Sequence, residues 1–200
     1  MANPTHLERL NQGTNAWNQW REENPEVQPD LSDADLRDSY FSGINLSYTN
    51  LDRCLLKAAY LKASNLRGAS FQKADLSNAN LHQAQLEQAN LEGASLIQTK
   101  LKYANLTHAN LKDVQALGAN FTSACLTGAC IDNWLINRTT KFEWVACAYV
   151  CRGSNLSKHR YPADEDFPHG EFAKLFGHAR NALADEKTQP SVDWLFEEAS

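Results

Sequence analysis

The sequence predicts an all-β solenoid with helical segments at both ends, because three features recur every five residues from Leu31 to Ile136. Every fifth residue in this stretch is bulky and apolar at 21 of 22 positions, with 16 Leu, three Phe and two Ile, and Ala116 is the exception. The residue two positions before each of these is usually small, most often Ala. The residue just before each is often Asn or Asp.

A period of five fits neither standard element. On an α-helix it advances by about 140° per step and winds the leucines around the cylinder. On a flat strand, an odd period sends successive leucines to opposite faces. The pattern therefore favours a coil in which each five-residue unit points one side chain inward and successive turns stack at about 4.8 Å. A small residue fits beside each leucine in so narrow a tube, and Asn or Asp suits the repeated tight turns.

Five of the units, ADLSN, ANLHQ, ANLEG, ANLTH and ANLKD, resemble the A(D/N)LXX motif of the pentapeptide-repeat family. The resemblance implies a right-handed quadrilateral β-helix of pentapeptide repeats, with four units in each 20-residue turn. The flanking segments WNQWREENPEVQPDLS and FPHGEFAKLF resemble those of cyanobacterial members of the family. We accordingly divide the chain into an N-terminal helical cap (1–29), the β-helix (30–136), and an irregular and helical C-terminal cap (137–200).

Two places interrupt the pattern. In KDVQALGANF, Ala116 occupies a core position and Val114 replaces the usual small residue. Either Val114 fills the space that Ala116 leaves, or the chain bulges and Leu117 turns inward. After Ile136 the fifth residue is Lys141, so the regular coil is expected to end near there.

Both ends of an open coil need cover, because their backbone groups are unpaired. Residues 5–23 have helical spacing of Leu7, Leu10, Thr14 and Trp17, and Pro25 stops the pattern. Residues 168–185 follow an acidic run and have apolar residues at helical spacing. The apolar face of this predicted helix consists of Phe172, Leu175, Phe176, Ala179 and Leu183. The final segment SVDWLFEEAS is expected to pack on the last coil, or else to dock a partner or a second copy.

Composition and motifs exclude several classes of function. The chain is 42% hydrophobic and 22% charged, has no apolar run of roughly 18 residues, and starts without a signal-peptide pattern, which favours a cytoplasmic protein. The cysteines are odd in number and are expected to be reduced; they are Cys54, Cys125, Cys130, Cys147 and Cys151. The sequence contains no phosphate-binding glycine loop, HExxH, nucleophile elbow or CxxC. We therefore expect no enzyme activity, catalytic residue, metal site or cofactor.

Charge is balanced along the coil but uneven around it. The net charges of residues 1–29, 30–131 and 132–200 are −2, 0 and −3, so the coil as a whole neither attracts nor imitates nucleic acid. With a 20-residue turn, one wall carries no Asp or Glu. This basic aromatic wall consists of Tyr40, Tyr60, Lys62, His82, Lys100, Lys102 and Tyr103. The opposite wall is net acidic by three; its charges are Asp30, Asp33, Asp52, Glu92, Asp113 and Asp132 against Arg53, Lys73 and Lys112.

A rigid repeat surface without catalytic residues predicts a non-enzymatic protein–protein interaction scaffold, with the basic aromatic wall as the candidate site for an unidentified protein partner. The alternative for the wall itself is a stabilising tyrosine ladder beside solvated lysines. Other members of the resembled family imitate DNA and bind topoisomerases, and a basic wall could bind nucleic acid directly. We expect neither of these, nor membrane binding, and we expect a monomer or a dimer formed through the C-terminal segment.

Overall fold

The computed structural model describes residues 1–153 and 159–182, excepting the side chains of 178–182. Helices α1 (Pro4–Asn11) and α2 (Thr14–Glu23) precede a long coil, and helix α3 (Glu171–Ala182) follows it. Strands β1 (Val150–Arg152) and β2 (His159–Tyr161) pair antiparallel where the coil ends. Leu183 and the segment SVDWLFEEAS, both assigned roles from the sequence, lie outside the described residues.

The coil is held together by isolated parallel β-bridges. The first joins Asp30 to Asn50, and a bridge recurs every five residues with its partner 20 residues on, as far as Gln115 and Leu135. Each turn therefore contains four five-residue units and the coil has four sides. This spacing confirms the 20-residue turn that the family resemblance implies.

Most backbone N–H groups of a five-residue unit have a partner. Counted from the central leucine, the first and third N–H groups donate to carbonyls of the next coil, the fourth closes a turn onto the first carbonyl, and the fifth donates to the preceding coil. Where an Asn or Asp precedes the central residue, the second N–H donates to that side chain, as His82 N does to Asn80 Oδ1 at 3.1 Å. In those units the predicted local bonding completes the backbone pairing that a buried coil requires.

The third residue of each unit is left-handed. Its φ lies between 54° and 73° in every unit from Asp33 to Asn133, which is the signature of a type II turn. Glycine adopts this conformation freely, but Lys, Gln and Tyr also occupy it here. Hydrogen bonds to the next coil hold these side-chain-bearing residues in place at a cost of about 1 kcal/mol each.

The core is the column of central residues. All 22 of them, from Leu31 to Ile136, are buried, with at most 7% of the side chain exposed. Val114 and Ala116 are both fully buried, and the bridge from Gln115 to Leu135 keeps the 20-residue step. Val114 therefore fills the space beside Ala116. The bulge alternative is wrong, and Leu117 stays on the outside, half-buried.

The coil does not end at the predicted boundary near residue 136. The corner turn that follows Ile136 contains one extra residue, so the next buried core residue is Phe142 and not Lys141. Three further bridges then form with a step of 21 residues, the last between Cys130 and Cys151. The corner is closed by the Thr140 hydroxyl, which donates to the Ala116 carbonyl at 2.9 Å. What stops after Ile136 is the five-residue spacing, because a single insertion shifts it.

The N-terminal segment forms two helices where the sequence pattern indicated one. The break falls at Gly13, whose φ of 93° is incompatible with a continuous helix. Trp17 is fully buried against the first coil, and its Nε1 donates to the Asn45 carbonyl at 2.7 Å. Asn18 accepts from the Asn45 N–H at 2.8 Å, and Arg21 donates to the Ser47 carbonyl at 3.0 Å. Helix side chains thus take the place of the coil that is missing beneath the first turn.

Aromatic side chains fill the other end. Phe142 stacks on Phe121 with ring centroids 5.5 Å apart, and α3 adds Phe176 at 5.1 Å from Phe142. Phe172 and Phe176 are both buried, as the predicted apolar face requires, while Leu175 is partly buried. Trp134 donates through Nε1 to the Leu111 carbonyl at 2.6 Å, so its polar atom is satisfied inside the core. Helix α3 therefore packs directly on the last coil.

Candidate partner-binding wall

The structure brings all seven residues of the basic aromatic wall onto one side of the coil. Bridges run from Tyr40 to Tyr60, on to Asn80, and then to Lys100, so these residues form one column. Lys62, His82 and Lys102 occupy the second position of stacked units in successive turns and form a neighbouring column, with Tyr103 in a third. Repeats of the same geometry position these side chains at a regular spacing.

The two tyrosines at the N-terminal end form a stacked pair. Their ring centroids lie 4.6 Å apart and the rings are tilted by only 13°. Tyr40 nevertheless remains 75% exposed, since no unit precedes it in the column. The predicted ladder is therefore present, and it presents an aromatic face to solvent.

His82 is the centre of a second cluster. Tyr103 meets it edge-on at 5.5 Å between centroids, and the Lys102 ammonium lies 5.0 Å from the centroid of the Tyr103 ring. Partial burial lowers the pKa of His82 from its ordinary value of 6.5, and the charges of Lys62 and Lys102 lower it further. The neutral form of His82 is therefore favoured while the wall is unoccupied.

In the part of the chain that the structure describes, the lysines of the wall have no carboxylate partner. Among the described residues, none of Lys62, Lys100 and Lys102 lies within 4.0 Å of a carboxylate oxygen. The acidic wall opposite is different, because Asp33 accepts from Arg53 at 2.7 Å and from the terminal amine at 2.9 Å. These two partners hold the pKa of Asp33 well below its usual range. The acidic wall is thus partly neutralised, while the basic aromatic wall keeps its charge available.

The sequence analysis missed the continuation of this surface past residue 136. Lys141 follows Lys100 and Asn120 in the first column, and Trp144 follows Tyr103 and Ser123 in the third, as the bond from Ser123 N to the Glu143 carbonyl at 2.9 Å shows. Lys141, Glu143 and Trp144 are all exposed. The signal that could have located them is Phe142, which follows Ile136 by six residues and marks the one-residue insertion.

A groove lies where this continuation meets α3. It has a volume of about 220 Å³ and is lined by Phe142 and Glu143 from the coil and by Ala173, Lys174 and Gly177 from the helix. Elsewhere the interior of the coil is filled by its leucines.

Metal-binding groups, cysteine thiols and membrane-spanning helices are the other features that bear on function. The described residues contain no group of three or more His, Cys, Asp or Glu side chains that could hold a metal ion. The five cysteines are present as thiols, and burial raises the pKa of Cys54 to about 12 and raises that of Cys147 as well. Such thiols are poor nucleophiles at neutral pH. Within the described part of the chain, no helix is long and apolar enough to cross a membrane.

Comparison with solved structures finds several similar proteins. QnrB1, a plasmid-mediated fluoroquinolone resistance protein, is 23% identical with a TM-score of 0.50 over 59% of this chain and 57% of its own. A pentapeptide repeat protein of the Arabidopsis thaliana thylakoid lumen is 28% identical with a TM-score of 0.46, over 46% of this chain and 65% of its own. The chain thus spans less than two thirds of the length of either. Rfr23 of the cyanobacterium Cyanothece 51142 is 23% identical with a TM-score of 0.39, over 65% of this chain and 92% of its own.

The family comparison agrees with the geometry. Eight copies of the pentapeptide-repeat model match residues 30–54, 54–93 and 89–128. No curated protein sequence matches the chain. The repeat match, the four-sided coil and the likeness to QnrB1 together establish a right-handed quadrilateral β-helix, and the chain belongs to the pentapeptide-repeat family.

Proposed function

We propose that the protein is a non-enzymatic interaction scaffold whose basic aromatic wall binds a protein partner. The observation that carries this proposal is that the three lysines of this wall, of which Lys100 is exposed and Lys62 and Lys102 are half-buried, have no carboxylate oxygen within 4.0 Å among the described residues and lie on one side of the coil with tyrosine rings. Aromatic side chains are enriched in protein interfaces, and unpaired cations attract a partner of opposite charge. Because leucines fill the coil interior, little enclosed space remains for a substrate.

The helices at the two ends serve this scaffold as caps. Trp17, Asn18 and Arg21 satisfy backbone groups of the first coil, and Phe172 and Phe176 cover the last one. Covered ends prevent edge-to-edge association of coils, so the walls remain the surfaces open to other molecules. We propose a cytoplasmic location for this scaffold, and as its working form a monomer or a dimer through the C-terminal segment.

The test is affinity capture from native lysate with the wild-type chain and with a Lys62→Glu, Lys100→Glu, Lys102→Glu variant. The matched control reverses three exposed cations of the other walls, Lys57→Glu, Arg67→Glu and Lys73→Glu, and so has the same net charge. We expect a specific protein to be retained by the wild type and the control and lost with the wall variant. Equal capture by all three would contradict a role for this wall.

Nucleic acid is the competing ligand for the same lysines. Binding to phosphates would weaken steeply with salt. The logarithm of the association constant would fall against the logarithm of the salt concentration with a slope of about −0.7 for each phosphate contacted on a single strand. A titration of a single-stranded oligonucleotide at two salt concentrations separates the two functions, since the scaffold proposal expects no such binding.

A further inference from the structure

We propose that the C-terminal end of the basic aromatic wall, extended by Lys141 and Trp144, binds an extended acidic peptide segment of the partner, and that Trp144 and the groove beside α3 hold one apolar side chain of that segment. This inference rests on the proposed function, because it names the chemistry of the partner at the same wall.

Trp144 is the first observation. Its side chain is 78% exposed, and its φ of 59° places a bulky residue in the left-handed region. Both features destabilise the isolated chain, since that conformation costs about 1 kcal/mol or more and the indole leaves apolar area in water. Tryptophan is also the residue type most enriched at the energetic centres of interfaces. A binding role accounts for a residue that the coil itself does not need.

The groove is the second observation. Phe142 and Glu143, which line it, immediately precede Trp144 in the chain. On the helix side, a methyl group added at Gly177 would have nothing within 4 Å, so the space above this glycine is open. Apolar lining from Phe142, Ala173 and Gly177 suits an apolar side chain, and the neighbouring indole can cover it.

Charge is the third observation. Lys100, Lys102 and Lys141 lie on this side of the coil. Among the described residues of this wall the one acid is Glu143, which accepts a hydrogen bond from Thr122 Oγ1 at 3.1 Å. Complementarity therefore requires an acidic occupant. A nucleic acid would bring a phosphate with every nucleotide towards Glu143, whereas a peptide can place a neutral apolar residue there.

The length of the wall along the coil axis is consistent with an extended peptide segment. Five coil spacings separate Tyr40 from Trp144, which is about 24 Å. An extended peptide covers this distance with about seven residues.

The experiment measures anisotropy of a fluorescent peptide of about eight residues, made of Glu with two Leu, against the full chain. Its counterparts carry Gln for every Glu, or Ala for every Leu. We expect the Glu and Leu peptide to bind roughly tenfold more tightly than either counterpart, and Trp144→Ala to weaken it by a similar factor. Tyr48→Ala is the matched control, because Tyr48 is an exposed aromatic residue with φ 55° on another wall.

A second variant isolates the groove. Gly177→Leu fills it, so this variant should weaken binding of the peptide that contains Leu and leave binding of the Ala counterpart unchanged. Circular dichroism and melting temperature check that each variant is folded. Equal binding of the Gln counterpart, or an unchanged affinity in Trp144→Ala, overturns the inference. Preferential, Trp144-dependent binding of oligothymidylate overturns it in favour of nucleic acid.

Affinity capture with both variants, together with the peptide titration, separates this inference from the scaffold proposal. If the Lys62→Glu, Lys100→Glu, Lys102→Glu variant loses its captured partner while Trp144→Ala keeps it, the scaffold stands and the acidic-peptide site at Trp144 is wrong. If neither variant affects capture or peptide binding, both are wrong.

Discussion

The residue two positions before each central leucine is enclosed by the coil, and Cys54 shows how tightly. Its thiol is fully buried and donates to the Leu31 carbonyl at 2.9 Å. Burial in this apolar position raises its pKa to about 12 from an ordinary value of 9.0. The protonated form is the one that fits the native coil.

This shift makes part of the stability dependent on alkaline pH. A raised native pKa contributes stability that is complete below pH 9 and is lost as the pH rises towards 12, because only the unfolded thiol ionises in that window. Each pH unit costs about 1.4 kcal/mol from this group. Urea denaturation between pH 8 and about 11 should show a decline that is shallower in Cys54→Ala. Parallel curves for the two chains would contradict the assignment.

His82 gives the wall its own pH dependence. The side chains that face it, Lys62, Lys102 and Tyr103, are basic or neutral, and its pKa is lowered in the free chain. Carboxylates of a bound acidic peptide would raise that pKa, so binding takes up a proton and becomes tighter as the pH falls from about 7 towards 5. Peptide titrations across this range should show the gain in wild type and lose it in His82→Gln. A gain of the same size in His82→Gln would assign the proton uptake to another group.

At the scale of the five-residue unit, the turn decides what each position tolerates. Gly43 and Gly68 are both left-handed, with φ of 67° and 63°, but their surroundings differ. A Cβ at Gly43 would touch nothing within 4 Å, whereas one at Gly68 would lie 2.5 Å from the ring of Tyr48 in the preceding coil. The glycine at 68 therefore serves both the turn and the aromatic side chain stacked over it.

Alanine substitutions separate these two requirements. Gly43→Ala should cost about 1 kcal/mol of unfolding free energy, which is the left-handed conformation alone. Gly68→Ala should cost more, by about a further 1 kcal/mol, because the Tyr48 ring must move. Chemical denaturation measures both values. Removing the ring with Tyr48→Ala should bring the cost of Gly68→Ala down to that of Gly43→Ala, and an unchanged cost would refute the clash.

At the scale of the whole molecule, stability is a sum of neighbour contacts along one axis. Each coil bonds only to the coils above and below it, and the end coils depend on the helices for what is missing. Damage at one end should accordingly spread inward only a short distance, unlike damage to a globular core.

Trp17→Ala tests this property. Loss of the buried indole and of its bond to the Asn45 carbonyl should cost about 3–5 kcal/mol locally. We expect hydrogen exchange to accelerate in α1, α2 and the first coil, while amides around Leu81 to Leu101 keep their protection. A uniform loss of protection along the coil would show instead that the chain unfolds as one cooperative unit.

The sequence by itself determined the repeat, the 20-residue turn implied by the family resemblance, 21 of the 22 core positions and the seven residues that share the basic aromatic wall. It could do so because a strictly periodic chain places residues 20 apart on one wall, so sequence spacing is equivalent to spatial neighbourhood. Gly13, the choice between Val114 and a bulge, and the continuation to Cys151 were decided only by tertiary structure. Each of these is a place where the period fails, and there the packing of one coil on the next selects the conformation. Trp144 and its groove belong to this second group, because the insertion after Ile136 and the docking of α3 place them together.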